Sequence, residues 1–247
     1  MATLTRRRER PDPNEMTLVQ HLGELRRRLI WCIVGFVVAV IVAYVLYPEI
    51  LRLLEHPYCE IQPGNCKLIV LAPLDAFGIR LDIAGYGGLV LSSPVLLWQL
   101  WRFVTPGLKA REKRYAIPFV ASSVSLFCFG AFVAWLAFPH ALGFFRAVGG
   151  SGITTYYTAQ RYLSLVLLLM AAFGLAFEFP VVLVALELAG VVTPRRLARF
   201  RRWAIVIIVA LAAVITPSSD PFSMFAMAVP MIVFYEVSIV IGRLAKK

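Results

Sequence analysis

Six uncharged or nearly uncharged apolar runs punctuate this chain, and their lengths predict its elements. The first is Leu29 to Tyr47, nineteen residues without a charge. At about 1.5 Å per residue it nearly spans a hydrocarbon layer of roughly 30 Å. The second follows Asp82 and reaches Trp101, with Pro94 inside it. The third is Tyr115 to Pro139, and the fourth is Tyr162 to about Leu188, which carries Glu178 and Glu187. The fifth, Trp203 to Thr216, and the sixth, Phe222 to Tyr235, have fourteen residues each. The sixth continues past Glu236 to Ile241. These runs are too long and too uniformly apolar for barrel strands, which alternate over about ten residues. The pattern predicts an all-α, polytopic membrane protein.

Composition agrees. Of 247 residues, 60% are hydrophobic and only 16% charged, against roughly 25% charged in a soluble domain. So few charges cannot coat a soluble globule of this size, and disorder is excluded by the same numbers. The net charge of +11 would suit a nucleic-acid binder, but the placement of the charges predicts otherwise. Twenty of the 25 basic residues fall on alternate sides of the runs: in the N-terminal arm, after run two (Arg102 to Arg114), after run four (Arg195 to Arg202) and in the tail. The positive-inside rule then places both termini in the cytoplasm, with an even number of crossings and no call for nucleic acid. Runs five and six are either two short crossings or a re-entrant hairpin. Crossing is favoured because Phe222 to Ile241 totals twenty residues.

Residues 1–15, with Pro11 and Pro13, are expected to be a disordered basic arm, residues 16–242 a single membrane domain, and 243–247 a basic tail. The N-terminus does not resemble a cleavable signal, because its apolar run is too long and no small-residue cleavage site follows Tyr47. Thr17-Leu18-Val19-Gln20 fits a capping box, and Leu18, Leu22, Leu25 and Leu29 share one helical face. An amphipathic helix therefore leads into run one. Cys32 and Cys128 lie in apolar runs as inert packing residues. Cys59 and Cys66 lie in the first external loop, Pro48 to Ala76, where an oxidising compartment would permit a disulfide, with free thiols as the alternative. No metal site is predicted: His21, His56 and His140 are scattered, and no cofactor motif is present. The glycines of Gly85-Tyr86-Gly87-Gly88 are read as permitting close helix packing.

The carboxylates carry the chemistry. Glu24 stands in His21-Leu22-Gly23-Glu24-Leu25-Arg26-Arg27-Arg28-Leu29, where an i,i+4 pair with Arg28 is the bland alternative. Glu112 is the only acid among five basic residues between Arg102 and Arg114. Two acids against basic flanks could together accept a dicationic ligand through carboxylate–guanidinium pairing. Glu178 interrupts Phe173-Gly174-Leu175-Ala176-Phe177-Glu178-Phe179-Pro180. A carboxylate deep in lipid costs at least about 2.5–3.5 kcal/mol, so it must be protonated, face a polar cavity or meet a partner. Pro180 also frees the carbonyl of Ala176. Glu236 in run six is similar, with an interfacial position as its alternative.

Together these stretches resemble the TatC family, the multispanning core of the twin-arginine protein translocase. The resemblance rests on the Glu24 stretch and on Ser93-Pro94 through Trp101-Arg102-Phe103 to Pro106-Gly107-Leu108 and Glu112. It also rests on Phe173-Gly174 with Phe177-Glu178-Phe179-Pro180, on Thr216-Pro217 with Asp220, and on Pro57 in the first external loop. It covers residues 16–242. It implies six crossings, N-in and C-in, in a concave helix array with short helices five and six, located in the cytoplasmic (inner) membrane. It implies that Glu24 and Glu112, with Phe103, Pro106 and Leu108, receive the arginine pair of signal peptides on folded cargo. It further implies that Glu178, Thr216 and Asp220, joined here by Glu236, form a polar site for single-span TatA/TatB-type partners. Pro57 and Pro217 would shape external loops. Where the family has a Gln after the third external loop, this chain has Met224. No enzymatic activity and no cofactor are implied; the proton-motive force would drive export, and self-association is left open. The rival function is a proton-coupled transporter with Glu178 as protonation site, but runs 1–3 and 4–6 differ in length and charge. An insertase-like protein would need a cation at mid-membrane, and none stands there.

Overall fold

The computed structural model describes residues 18–61, 68–104, 116–150, 157–188, 190–216 and 220–245. Eight helices follow one another: α1 Leu18–Val45, α2 Tyr47–Ile61, α3 Pro73–Val104, α4 Ala116–Gly149, α5 Ala159–Ala176, α6 Phe179–Leu188, α7 Pro194–Ile215 and α8 Pro221–Ala245. The fold is all-helical among the described residues, as expected. Five stretches are long and apolar enough to cross a membrane: Leu22–Val45, Pro73–Phe103, Ile117–Gly149, Ala159–Leu188 and Pro221–Leu244. The fifth apolar run lies in α7, which is not among them because its first half carries five arginines.

Several helices run past the apolar stretches that predict them. α3 starts nine residues before Asp82, with Pro73 in its first turn and the Asp75 carboxylate accepting from Ala72 N at 3.1 Å. These are helix-start signals, Pro at N1 and an acid near it. Run four is two helices, not one. The chain leaves α5 at Phe177-Glu178 and restarts as α6 just before Pro180, where proline cannot donate to the carbonyl of Ala176. The predicted external loop contains a whole helix, α2.

α2 shows how a proline is kept inside a helix. Pro57 cannot donate to the carbonyl of Leu53, four residues back. The indole Nε1 of Trp135 on α4 donates to that carbonyl instead, at 3.1 Å. Next to it the Tyr162 hydroxyl of α5 donates to the carbonyl of Leu54 at 3.0 Å. With Leu54, Pro57 and Tyr58 buried, α2 is docked on α4 and α5 through the carbonyls beside its own proline. Pro94 in α3 is relieved similarly: Ser93 Oγ donates to the carbonyl of Val90 at 2.7 Å.

Helix order in space runs from α1, which packs on α3, through α3, α4 and α5, to α8 and finally α7. Glycines set the closest crossings. A Cβ on Gly88 would stand 2.9 Å from Cα of Val40 on α1, and one on Gly87 3.2 Å from Cβ of Ala43. Both behave as packing glycines, as read from the sequence; Gly85 borders open space. The centre of the core is α5, where Tyr162, Leu163, Val166, Leu169 and Phe173 are all buried.

Candidate functional site

The antiparallel pair α4 and α5 builds the first half of the site. A Cβ on Gly130 would meet the carbonyl of Phe173 at 2.6 Å, and one on Gly174 would meet the Phe127 ring at 2.9 Å. Only glycines allow this approach. One turn back along α4 from Phe127 is Ser123; one turn forward from Gly174 is Glu178. The glycine crossing therefore brings Ser123, itself wholly buried, to the Glu178 side chain, with which it hydrogen bonds. Trp101 Nε1 on α3 donates to Ser123 Oγ at 3.0 Å. A hydroxyl has one proton. With Trp101 donating to its oxygen, Ser123 is free to donate onward to Glu178. Three helices thus converge on this carboxyl group at the α5–α6 break. Its second oxygen, Oε1, is buried with no hydrogen-bond partner among the described residues.

Glu178 lines a cavity of about 370 Å³. Arg28 and Leu29 of α1, and Ser93, Gln99 and Phe103 of α3, also line it. Beside it on α1, Arg28 Nε donates to Glu24 Oε1 at 3.0 Å, and Nη2 reaches the same oxygen. The i,i+4 pair weighed as the bland alternative is thus present. It does not use the whole carboxylate: Glu24 Oε2 is buried without a partner among the described residues. The pair is sheltered, with Glu24 22% and Arg28 15% exposed. The structure therefore brings Glu24, through Arg28, together with Phe103 and Glu178. Pro106, Leu108 and Glu112 lie outside the described residues.

The residues expected at the third external loop act as caps. Thr216 ends α7, its hydroxyl donating to the carbonyl of Ala212 at 2.8 Å. Asp220 opens α8, its Oδ1 accepting from Ser223 N at 2.7 Å. Both are buried, and an acid at an N-cap is favoured by the unpaired N–H groups there. Pro217 lies outside the described residues. Glu236, expected in an intramembrane polar site, is held by Arg201 of α7 in a two-point pair, Nε to Oε1 at 2.6 Å and Nη2 to Oε2 at 2.7 Å. Beside it the Tyr235 hydroxyl donates to the carbonyl of Leu197 at 2.9 Å. These contacts fasten α7 to α8. Cys59 is disulfide-bonded, and Cys32 and Cys128 are free; Cys66 lies outside the described residues. Among the described residues, no group of three or more His, Cys, Asp or Glu could hold a metal.

Sequence reasoning missed Trp101, Ser123 and Arg201. A tryptophan deep in an apolar environment needs a partner for its N–H, which could have pointed to Trp101. It also missed a second polar cluster, in which Asp82 Oδ2 accepts from Gln160 Nε2 at 2.9 Å and from Ser164 Oγ at 2.8 Å. The apolar pattern marks Asp82 only as the boundary of a run; in the structure it ties α3 to the first turns of α5.

A family model described as Sec-independent protein translocase protein (TatC) matches residues 20–230. The Sec-independent protein translocase protein TatC of Frankia casuarinae is 39% identical over 256 residues, covering 99% of this chain and 70% of its own. The protein of the same description from Aquifex aeolicus is 39% identical over 235 residues, covering 94% of this chain and 97% of its own. A crystal structure of the twin arginine translocase receptor TatC is similar with a TM-score of 0.76 at 39% identity, covering 92% of this chain and 100% of that one. A second such structure, in DDM, is similar with a TM-score of 0.77 at 39% identity, covering 90% and 99%.

Proposed function

Because the chain belongs to the TatC family of Sec-independent protein translocase proteins, we propose that it is the receptor core of a twin-arginine translocase. In this proposal it crosses the cytoplasmic (inner) membrane six times, with both termini in the cytosol and α7 as a short fifth crossing. It binds the arginine pair of signal peptides on folded cargo and nucleates assembly with TatA/TatB-type single-span subunits for export driven by the proton-motive force.

The observation that carries the proposal is the cavity beside the Glu24–Arg28 pair, with Phe103 and Glu178 in its wall. A signal peptide presents cations followed by an apolar stretch. Glu24 supplies a sheltered carboxylate with one oxygen uncommitted, where charge-assisted pairing with a guanidinium is strong. Glu112 supplies the second carboxylate from the segment after α3. The apolar wall between Leu29 and Phe103 follows, and among the described residues Glu178 offers the only carboxyl group of that wall. There a polar group of a partner helix would satisfy the open Oε1, since an unpaired buried polar atom costs about 1–3 kcal/mol.

The test is crosslinking of a signal peptide to the purified protein, in Arg-Arg and Lys-Lys versions. Arg-Arg-dependent crosslinking that falls in Glu24→Ala and Glu112→Ala supports the proposal. Undiminished crosslinking in the double variant sinks it. Glu112→Lys should be worse than alanine because it adds repulsion.

A further inference from the structure

The two sides of α7 have different fates. Leu197, Ala204, Ile208 and Ala212 are buried, on the side that packs on α8, and Arg201 joins that side through Glu236. At about 100° per residue, Arg195, Arg199 and Arg202 fall together on the opposite side. All three are exposed. Among the described residues none of them pairs with a carboxylate, whereas Arg201 does. The same outward stripe continues along the helix as Val206, Ala210 and Ala213, all exposed. It is therefore cationic in its first two turns and smooth and apolar in the rest.

Depth adds to this. Beyond Arg202 the helix has thirteen residues, Trp203 to Ile215, a rise of about 20 Å against a hydrocarbon layer of roughly 30 Å. A bilayer covering that apolar half draws Arg202 and Arg199 into the phosphate layer. Trp203, exposed on an adjacent face, sits at the same level, as interfacial tryptophans do.

We propose that the outward face of α7 is a binding site for an anionic membrane phospholipid. Arg195, Arg199 and Arg202 clamp its phosphodiester, and its acyl chains lie along Val206, Ala210 and Ala213. The occupant follows from complementarity: three uncompensated guanidinium groups call for a phosphate, and the apolar stripe below them calls for a chain joined to it. The inference rests on α7 lying in the bilayer.

The experiment uses the full chain in detergent, titrated with phosphatidylglycerol or with phosphatidylcholine of the same chains, and counts retained lipids by native mass spectrometry. Phosphatidylglycerol should be retained in preference to phosphatidylcholine. Each basic residue near a membrane surface is worth roughly fivefold in affinity for anionic lipid, so R195Q/R199Q/R202Q should weaken retention about a hundredfold and Arg199→Gln alone about fivefold. R26Q/R27Q/R243Q removes the same charge elsewhere and should weaken retention far less. Equal loss in the two triple variants, or equal retention of the two lipids, overturns the site. Competition by the chain-free glycerophosphoglycerol headgroup as effective as that of the lipid overturns the apolar half. Placement of α7 is read separately, by quenching of a bimane on Trp203→Cys, with Cys32 and Cys128 replaced by Ser, using brominated phosphatidylcholine. Quenching without anionic selectivity defeats the lipid site and leaves the membrane placement standing; absence of quenching defeats the placement itself.

Discussion

Arg28 is the resident occupant of the carboxylate that a signal-peptide arginine is proposed to use, so removing it should tighten binding. In the structure Arg28 holds Glu24 Oε1 from two of its nitrogens. A surface i,i+4 pair contributes about 0.3–0.5 kcal/mol, while a hydrogen bond to a charged group contributes about 1.5–3 kcal/mol. This pair is sheltered but not buried, with 22% and 15% exposure. It falls between those limits, at about 1 kcal/mol. An arriving guanidinium must displace that interaction or share the carboxylate with it. Arg28→Gln should therefore raise the affinity for an Arg-Arg signal peptide by about fivefold. The gain should be larger at low ionic strength, because one repelling charge also leaves the cavity rim. The assay is fluorescence anisotropy of a labelled signal peptide against the protein in nanodiscs. In a Glu24→Gln background the same substitution should change affinity only through the lost repulsion, a smaller effect. Weaker binding in Arg28→Gln, with helix content intact, would refute the exchange and make Arg28 an orienting group for Glu24.

Other contacts give sharper local tests. Ser123→Ala leaves the buried Trp101 N–H without its acceptor and should cost about 1–3 kcal/mol in reversible unfolding in detergent. The same change should shift the infrared carboxyl band of Glu178, and Ser123→Thr should restore both. Gly174→Ala pushes a Cβ into the Phe127 ring and should cost about 1–3 kcal/mol; because it spreads the crossing that joins Ser123 to Glu178, it should shift that band too. Trp135→Phe strands the Leu53 carbonyl and should cost about 1 kcal/mol. In Pro57→Ala, whose own N–H takes that carbonyl, the cost should shrink, and an additive double-mutant cycle would refute the account of Pro57. Burial raises the carboxyl of Glu55, on α2, above its usual value. The folded state then holds the proton more tightly, so α2 docking strengthens as pH falls through the folded value and weakens as pH rises through it. Hydrogen exchange of α2 should follow that course, and Glu55→Gln should flatten it.

What could be read ahead of the structure follows from the solvent. Lipid demands long uncharged helices, so the five membrane-length stretches stand out as apolar runs. The demand ends at the membrane surface, and so does the legibility. The turns of α3 before Asp82, and α4 beyond Pro139, are helical without being continuously apolar. α2 lies where the apolar pattern predicts a loop. Its signals are present: Leu51, Leu54 and Tyr58 recur at helical spacing, Glu49–Arg52 is a helical charge pair, and His56 and Glu60 meet one turn apart. Pro57 opposes a helix there, and the objection is removed by Trp135, which reaches the Leu53 carbonyl from 82 residues away along the chain.

The site divides along the same line. Glu178 is conspicuous because a carboxylate in lipid is costly whatever surrounds it. Its partners are not, because a serine or a tryptophan in an apolar run is cheap alone and acquires meaning only through the crossing that joins them. That crossing depends on Gly130 and Gly174, two residues with no side chain to announce it. The same logic ranks Glu236 below Glu178. Both are acids in apolar stretches of the chain, but Glu236 meets Arg201 in two-point contact in the second half of α8, where its charge is already compensated and its work is to hold α7. Glu178 keeps an unsatisfied oxygen on the wall of a cavity. Leaving that buried acceptor unpaired costs about 1–3 kcal/mol, which a polar group from a partner helix would recover. Under the proposed function, partner contact is then expected at the α5–α6 break rather than at the α7–α8 clamp. Substituting Glu178 by Gln should therefore disturb partner assembly while leaving α7 anchored, and substituting Glu236 by Gln should do the reverse. Site-specific crosslinking at each break distinguishes the two, and equal effects of both substitutions on assembly would undo the ranking.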